Sequence, residues 1–295
     1  MEETFEEQIT HKIADMPDQW DLVIEPQRSL LDLRLRELWR YRDLVMLFVR
    51  RDFVSAYKQT ILGPLWYLIQ PLLTTLTYTV IFGQIANLPT DGLPQFLFYM
   101  SGTAIWAYFA DCLTKTSNTF VNNSNLFGKV YFPRMAVPVS ILISNLITFA
   151  IQFVFFLLFA LYFGLRGSTI TPNLWILSTP LLLLMMAGLG LGFGVLISAM
   201  TTKYRDLRFL VQFGVSLLMY ATPVIYPISS VPAQLQMLIR LNPMTPIVET
   251  FRFAFLGAGS VNPMELLYSF VFMLVVVILG SVVFNRVEAT FMDTV

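Results

Sequence analysis

Phosphate binding, metal binding and proton relay each demand particular side chains at particular spacings, and this sequence offers a candidate to weigh for each. A nucleotide-binding P-loop needs Gly-x-x-x-x-Gly-Lys-Ser/Thr, because backbone amides must cradle the phosphates while the lysine reaches them. The only Gly-Lys pair is Gly128-Lys129; Val130 follows it and Asn123 stands where the first glycine belongs, so ATP cannot be held that way. The run Gly188-Leu-Gly190-Leu-Gly192-Phe-Gly194 is superficially a dinucleotide loop, yet Phe193 occupies the last glycine position of Gly-x-Gly-x-x-Gly. Within an apolar helix, Gly188 with Gly192 and Gly190 with Gly194 are instead small residues four apart, which let helices approach closely. One cysteine, Cys112, and one histidine, His11, exclude an internal disulfide and a His/Cys metal cluster of usual spacing.

Ionisable groups inside an apolar chain are functional suspects, since each is costly to bury there. Asp111 and Lys115 stand four apart and can pair on one helix face, either as a structural pair near a membrane surface or as part of a relay. Glu249 and Arg252 are three apart, again a helical spacing, with Glu265 further on. A membrane enzyme would need catalytic carboxylates gathered at one cavity, and Asp91, Asp111 and Glu249 are scattered in sequence.

The elements that must position these groups follow from composition. Of 295 residues, 56% are hydrophobic and 13% charged, against about 25% charged in a soluble domain. Net charge is zero, which provides no basic field for nucleic acid. Residues 1–58 carry 9 basic and 12 acidic side chains, leaving 17 charges for the other 237 residues. The chain thus divides into a polar arm and an apolar body. Its acidic start, Met1-Glu2-Glu3-Thr4-Phe5-Glu6-Glu7, differs from the basic start of a secretory signal.

Crossing a hydrocarbon core takes about 20 mostly apolar residues. Six such runs are expected, near Leu62–Ala86, Phe96–Phe120, Val137–Gly164, Trp175–Met200, Phe209–Ile228 and Met264–Phe284. With the N-terminus inside, 16 Lys and Arg fall on the inner side and three, Arg166, Arg240 and Arg252, on the outer. In the arm, Leu35, Leu38, Tyr41, Val45, Phe48, Val49, Phe53 and Ala56 recur every three or four residues, with Arg34, Glu37, Arg40, Asp43, Arg50 and Arg51 mostly on other faces. Such a helix either rests on the membrane surface or packs on a partner.

Trp and Tyr at span ends form interfacial belts. Tyr78 and Trp106 fall well inside their spans, where flat rings with a polar handle could line a path for a sugar chain. Between Pro223 and Pro263 lie six prolines, counting both, which divide an unusually apolar outer link into pieces such as Ala233–Leu241 and Thr245–Leu256. Non-helical backbone at membrane depth survives only under cover of protein or a water-filled cavity. Two short re-entrant or surface helices capping the outer side are therefore expected.

Five strings then resemble the type-2 ABC export permeases, in family order. They are Phe48-Val-Arg-Arg-Asp-Phe-Val-Ser-Ala-Tyr-Lys-Gln-Thr-Ile-Leu-Gly-Pro-Leu-Trp66 with Gln70-Pro71, Asn125-Leu-Phe-Gly-Lys-Val-Tyr-Phe-Pro-Arg134, Lys203-Tyr-Arg-Asp206, Pro223-Val-Ile-Tyr-Pro227 and Asn242-Pro-Met-Thr-Pro246. By pattern the chain is most similar to permeases that export O-antigen and other lipid-linked polysaccharides. The resemblance implies an all-α membrane protein of six transmembrane helices, with an amphipathic interface helix over 29–58 and a transmembrane domain over 59–295; the acidic tail over 1–28 precedes them, its extension Met1 to Asp21 longer than in many relatives and without an assigned role. It implies a coupling helix near 122–134 and periplasmic gate helices near 230–257, between the fifth and sixth spans.

It also implies a homodimer in the bacterial inner membrane, with both termini cytoplasmic and an ABC ATPase beneath each subunit. The chain itself would hold no cofactor, with ATP and Mg on the ATPase. Coupling is then expected at Asn125, Leu126, Phe127, Lys129, Tyr131, Phe132 and Arg134, and a lipid headgroup beside Arg50, Arg51 and Lys58. Trp66, Tyr67, Tyr78, Tyr99, Trp106, Tyr108 and Tyr220 are the channel aromatics, and Pro227, Pro232, Asn242, Pro243, Pro246, Glu249 and Arg252 the gate. A permease of the same architecture for a small drug or lipid, and a membrane glycan-synthesis enzyme, are the competing readings.

Overall fold

The computed structural model describes residues 35–58, 60–127, 129–130, 132–201, 204 and 206–291. The expected tail over 1–28 and the arm's first residues, Ser29 to Arg34, lie outside the described residues, as do Gly128, Tyr131, Lys203 and Arg205. The described chain is helical, without a strand.

The arm consists of α1, Leu35–Arg40, and α2, Arg42–Tyr57, parted at Tyr41, where φ −93° and ψ 19° leave the helical region. A 3₁₀ turn, Gly63–Leu65, leads into α3, Trp66–Tyr78, which widens into a π-helical turn over Thr79–Ile85. Next comes α4, Gln95–Ser117, then two single turns, α5 (Thr119–Asn122) and α6 (Ser124–Phe127), and α7, Ala136–Leu165. A second 3₁₀ turn, Leu174–Ser178, precedes α8, Thr179–Thr201, followed by α9, Leu207–Tyr220. Two helices, α10 (Ala233–Arg240) and α11 (Met244–Leu256), separate α9 from α12, Pro263–Phe291.

Among the described residues, four stretches are long and apolar enough to cross a membrane: Gly63–Ile85, Ala136–Leu165, Leu174–Thr201 and Pro263–Val287. The two other expected spans are helical but fall short of that description. Helix α4 has 23 residues and carries Asp111 and Lys115, whereas α9 has 14 and reaches only about 21 Å at 1.5 Å per residue. The expectation that the fifth span runs on to Ile228 is corrected: the helix stops at Tyr220, ahead of Pro223, which lacks a backbone donor and disfavours helical geometry in the residue before it.

Helix α8 is the axle of the bundle, packed against α12 on one side and α4 on the other. Its glycines make this possible. A Cβ at Gly192 would lie 2.8 Å from backbone atoms of Val276 and Val277 in α12, while one at Gly190 would lie 2.6 Å from Cys112 Cβ and one at Gly194 2.5 Å from Thr116 Cβ, both in α4. The four glycines are therefore packing surface for two neighbours at once. By contrast, α3 and α9 sit at the edge, and only 11% of the most apolar stretch of Gly63–Ile85 is buried against half of that of Leu174–Thr201.

The arm packs on its own chain. Val45, Phe48 and Val49 are buried with Phe127, Phe132, Ala136 and Val137 in a second core at the arm end of the bundle. Trp39, Met46 and Leu47 remain exposed on the arm. Phe48 meets Phe132 edge-on at 5.6 Å. Val49→Asp is expected to cost about 3 kcal/mol, because a carboxylate set among Phe48, Phe127, Phe132 and Val137 loses its hydration. Limited proteolysis would then cut within 42–57 before any span, and equal protection of variant and parent would contradict this packing.

Candidate functional site

Two asparagines shape the link between α4 and α7. The Asn118 side chain donates to Thr114 O at 2.8 Å and that of Asn123 to Thr119 O at 3.0 Å, so each closes off the helix before it and the chain turns twice. The resulting lug is fixed from three directions. Phe120 stacks on Phe284 of α12 at 4.6 Å, its backbone N–H donates to Ser198 Oγ, and Thr201 Oγ1 donates to Ser117 O at 3.0 Å. Phe132 reaches Phe48 of the arm.

The residues expected to couple divide into two sets. Asn125 and Lys129 are exposed and Leu126 is half-buried, with Asn122 and Val130 exposed beside them. Phe127, Phe132 and Arg134 are buried, the guanidinium lying 5.5 Å from the Phe127 ring centre, so they position the lug and do not form its contact surface. Sequence could not separate them, because burial in a four-residue helix and in the non-helical chain after it depends on what stands behind them. Tyr131 lies outside the described residues.

Arg50, Arg51 and Lys58 are all exposed at the arm end, with Arg51 paired to Asp52 at 2.8 Å. Asp111 and Lys115 form the expected pair, 2.9 Å apart, and the lysine also donates to Asn145 Oδ1 at 2.7 Å, a partner that sequence spacing could not reveal.

The residues expected to be channel aromatics divide by burial. Tyr99, Trp106 and Tyr108 are 0%, 6% and 4% exposed, locked into the core between α4 and its neighbours, and do not line open space. Helix α4 touches α3, α7, α8 and α9, so nearly every face of it is covered. Trp66 and Tyr220 are exposed, Tyr67 and Tyr78 half-buried. The Tyr78 hydroxyl lies 3.7 Å from Met219 Sδ and so joins α3 to α9. These two helices also expose Gln70, Thr77, Gln212 and Ser216 among apolar residues.

At the far end, Arg252 is 1% exposed. It donates to Pro223 O and, at 2.5 Å, to Val224 O, its Nε lies 3.4 Å from Ser101 Oγ, and its guanidinium sits 3.8 Å from the Phe98 ring centre. Glu249 Oε1 makes no hydrogen bond among the described residues and relies on Arg252 Nη1 at 3.8 Å, while Oε2 accepts from Ser260 N–H at 3.3 Å. Burial pushes the Glu249 carboxyl above the usual carboxylate range, against the pull of Arg252; burial also draws the Arg252 guanidinium down. Gly102 of α4 makes room for this arrangement, since a Cβ there would lie 2.7 Å from Arg252 Nη2.

The proline signals place the rest of this cap. Pro227 precedes a 3₁₀ turn, Pro232 precedes α10, Pro243 precedes α11, and Pro246 sits in the first turn of α11, where no helical donor is lost. Asn242 Nδ2 donates to Thr222 Oγ1 at 2.8 Å and its Oδ1 accepts from Met244 N–H at 3.0 Å. Arg240 pairs with Glu265, and Ser229 Oγ donates to Asp91 Oδ1 at 2.7 Å. Helix α11 is buried along almost its whole length, a core element against α4, α8 and α12 more than a surface cap. Among the described residues no group of three or more His, Cys, Asp or Glu is placed to hold a metal.

The family described as ABC-2 type transporter matches residues 43–256. An O-antigen export system permease protein RfbA of Klebsiella pneumoniae is 26% identical over 253 residues, 85% of this chain and 94% of that protein. A protein of the same name from Myxococcus xanthus is 26% identical over 224 residues, 75% of this chain and 83% of that one.

Proposed function

This chain belongs to the ABC-2 type transporter family, and from that premise we propose that it is the permease subunit of an ATP-driven exporter moving lipid-linked polysaccharide, O-antigen or a similar glycan, across the bacterial inner membrane. Two copies enclose the path, each above one ABC ATPase subunit that binds ATP and Mg. Six helices span the bilayer, α4 and α9 joining the four apolar ones, with both termini cytoplasmic, and α10 with α11 act as the periplasmic gate. The names of the relatives support the glycan.

The observation that carries the reading is the uncovered face of α3 and α9. Gln70 and Gln212 stand exposed there with Trp66 and Tyr220, beside Thr77 and Ser216, whose hydroxyls donate to Leu73 O and Gln212 O within their own helices, and side-chain amides facing lipid would be costly. Facing a second copy across a wet conduit, they meet sugar hydroxyls, and the rings offer flat apolar faces. Tyr78 and Tyr67 border this wall, and Tyr99 backs it through Phe82 at 6.5 Å, whereas Tyr108 packs on Phe149 of α7.

The lug supplies the drive. Its exposed face, Asn125, Lys129 and Val130, sits in the ATPase groove, and the phenylalanines behind it pass motion to α2, α8 and α12. Arg50, Arg51 and Lys58 meet the pyrophosphate of the lipid carrier at the membrane surface, where each basic residue contributes about 1 kcal/mol toward anionic groups. Reversing Arg50 and Arg51 to Glu is expected to raise the half-saturating concentration of lipid-linked substrate roughly tenfold or more. Intact complex and unchanged saturation would reject the headgroup role.

Deleting the gene should strip glycan from the cell surface while finished lipid-linked chains accumulate inside, and the reconstituted complex should hydrolyse ATP faster when given those chains. Stimulation by a small drug or lipid alone points to the alternative permease. Loss of synthesis, with nothing accumulating, points to an enzyme.

A further inference from the structure

A cleft of about 440 Å³ opens between α2, α3, α4 and α7 at the arm end, within the usual range of ligand pockets. We propose that it is a saccharide site in which this chain reads the sugar nearest the lipid carrier before transport begins. The proposal rests on the exporter reading for the source of that sugar, and on the cleft's own chemistry for the ligand class.

Three asparagines, Asn122, Asn123 and Asn145, face the cleft. A free amide offers donors and an acceptor, which is what a ring of hydroxyls requires, and Asn122 is exposed to supply both, whereas Asn145 is buried and fixes the wall. Asn123 commits its Nδ2 to Thr119 O and keeps its oxygen; Asn145 accepts from Lys115 and turns its Nδ2 toward the weak acceptor Cys112 Sγ at 3.7 Å. One wall is aromatic, with Phe53 and Tyr67 stacked at 5.3 Å and 11° between planes. Such a wall suits the C–H face of a sugar ring.

The cations argue against a simple phosphate trap. Both that line the cleft are already matched by carboxylates, Arg51 by Asp52 and Lys115 by Asp111, so the cleft carries donors without a large net charge. That balance favours a neutral polyhydroxyl ligand over a bare anion. Position agrees: Arg51 lies on the cleft wall next to Arg50, so a pyrophosphate held by the arm would leave its first sugars at the cleft mouth. Asn122 and Asn123 belong both to the cleft and to the lug, so a bound sugar touches the segment that meets the ATPase.

The test uses the full permease–ATPase complex in nanodiscs. The probe is the reducing-end disaccharide released from the cell's own lipid-linked glycan, followed by saturation-transfer NMR with inorganic pyrophosphate as competitor. Asn122→Ala removes one amide, worth about 1 kcal/mol and hence roughly fivefold in affinity. Thr148→Leu fills the same cleft from α7 without touching the lug. The parent complex is expected to give saturable binding that both variants weaken at least about fivefold and that pyrophosphate leaves intact. No saturable signal, equal binding by parent and variants, or displacement by pyrophosphate overturns the saccharide site. Failure of the exporter reading looks different: the disaccharide still binds in a variant-sensitive way while whole lipid-linked glycan neither stimulates ATP hydrolysis nor leaves the cell.

Discussion

Replacing Arg252 by methionine is expected to destabilise the purified chain by about 3–5 kcal/mol, the cost of leaving a buried partner charge uncompensated. Methionine retains much of the volume, so the loss is of charge and hydrogen bonds more than of packing. Glu249 would lose its counter-ion at 3.8 Å, and the carbonyls of Pro223 and Val224 would lose the donors that hold the turn after α9 against α4. The thermal midpoint in detergent should fall by on the order of 10 °C. Glu249→Gln in the same chain should restore a large part of that loss, because a neutral amide no longer needs the cation. A single-variant loss below about 1 kcal/mol, or no coupling between the two substitutions, would show that the far-end cap does not depend on this pair.

Gly192→Val tests the axle. A side chain there meets the backbone of Val276 and Val277, which cannot rotate away, and α8 and α12 must separate. Gly280 faces the same seam from α12, where a Cβ would lie 2.4 Å from Gly192 O. Overpacking of this kind costs about 1–3 kcal/mol, and here it also opens the seam that the lug relies on through Phe284. Accumulation of the folded chain and its thermal midpoint should both drop sharply. Gly188→Ala is the internal control: its Cβ would meet the Met273 side chain, which can swing aside, so the effect should be the smaller of the two. Equal effects at the two sites would contradict the difference between a backbone and a side-chain neighbour.

Much of this molecule was legible from local rules. Each of the six apolar runs falls on helix, four of them long and apolar enough to cross a membrane, and the prolines at 223, 232, 243 and 263 stand just outside or at the ends of helices where such residues belong. The pairs Asp111 with Lys115 and Glu249 with Arg252 follow from helical spacing, and the alternating glycines of α8 from the small-residue rule. Less was legible at the candidate site. Of seven aromatics expected along a path, three proved to be core, and of the residues expected to couple, Phe127, Phe132 and Arg134 turned inward.

The difference has one physical origin. Sequence by itself determined roughly where the helices run and which residues pair within them, because those depend on neighbours a few residues away, although the fifth span stops at Tyr220 and not at Ile228. Only the tertiary structure decided which side of each helix looks inward. In a soluble helix the polar stripe marks the outside, but a span destined for lipid is apolar all round, so its periodicity carries little orientation. Tyr99 and Tyr220 stand in equally apolar surroundings in sequence; one is enclosed by α4's neighbours and the other faces out, and helix packing alone separates them.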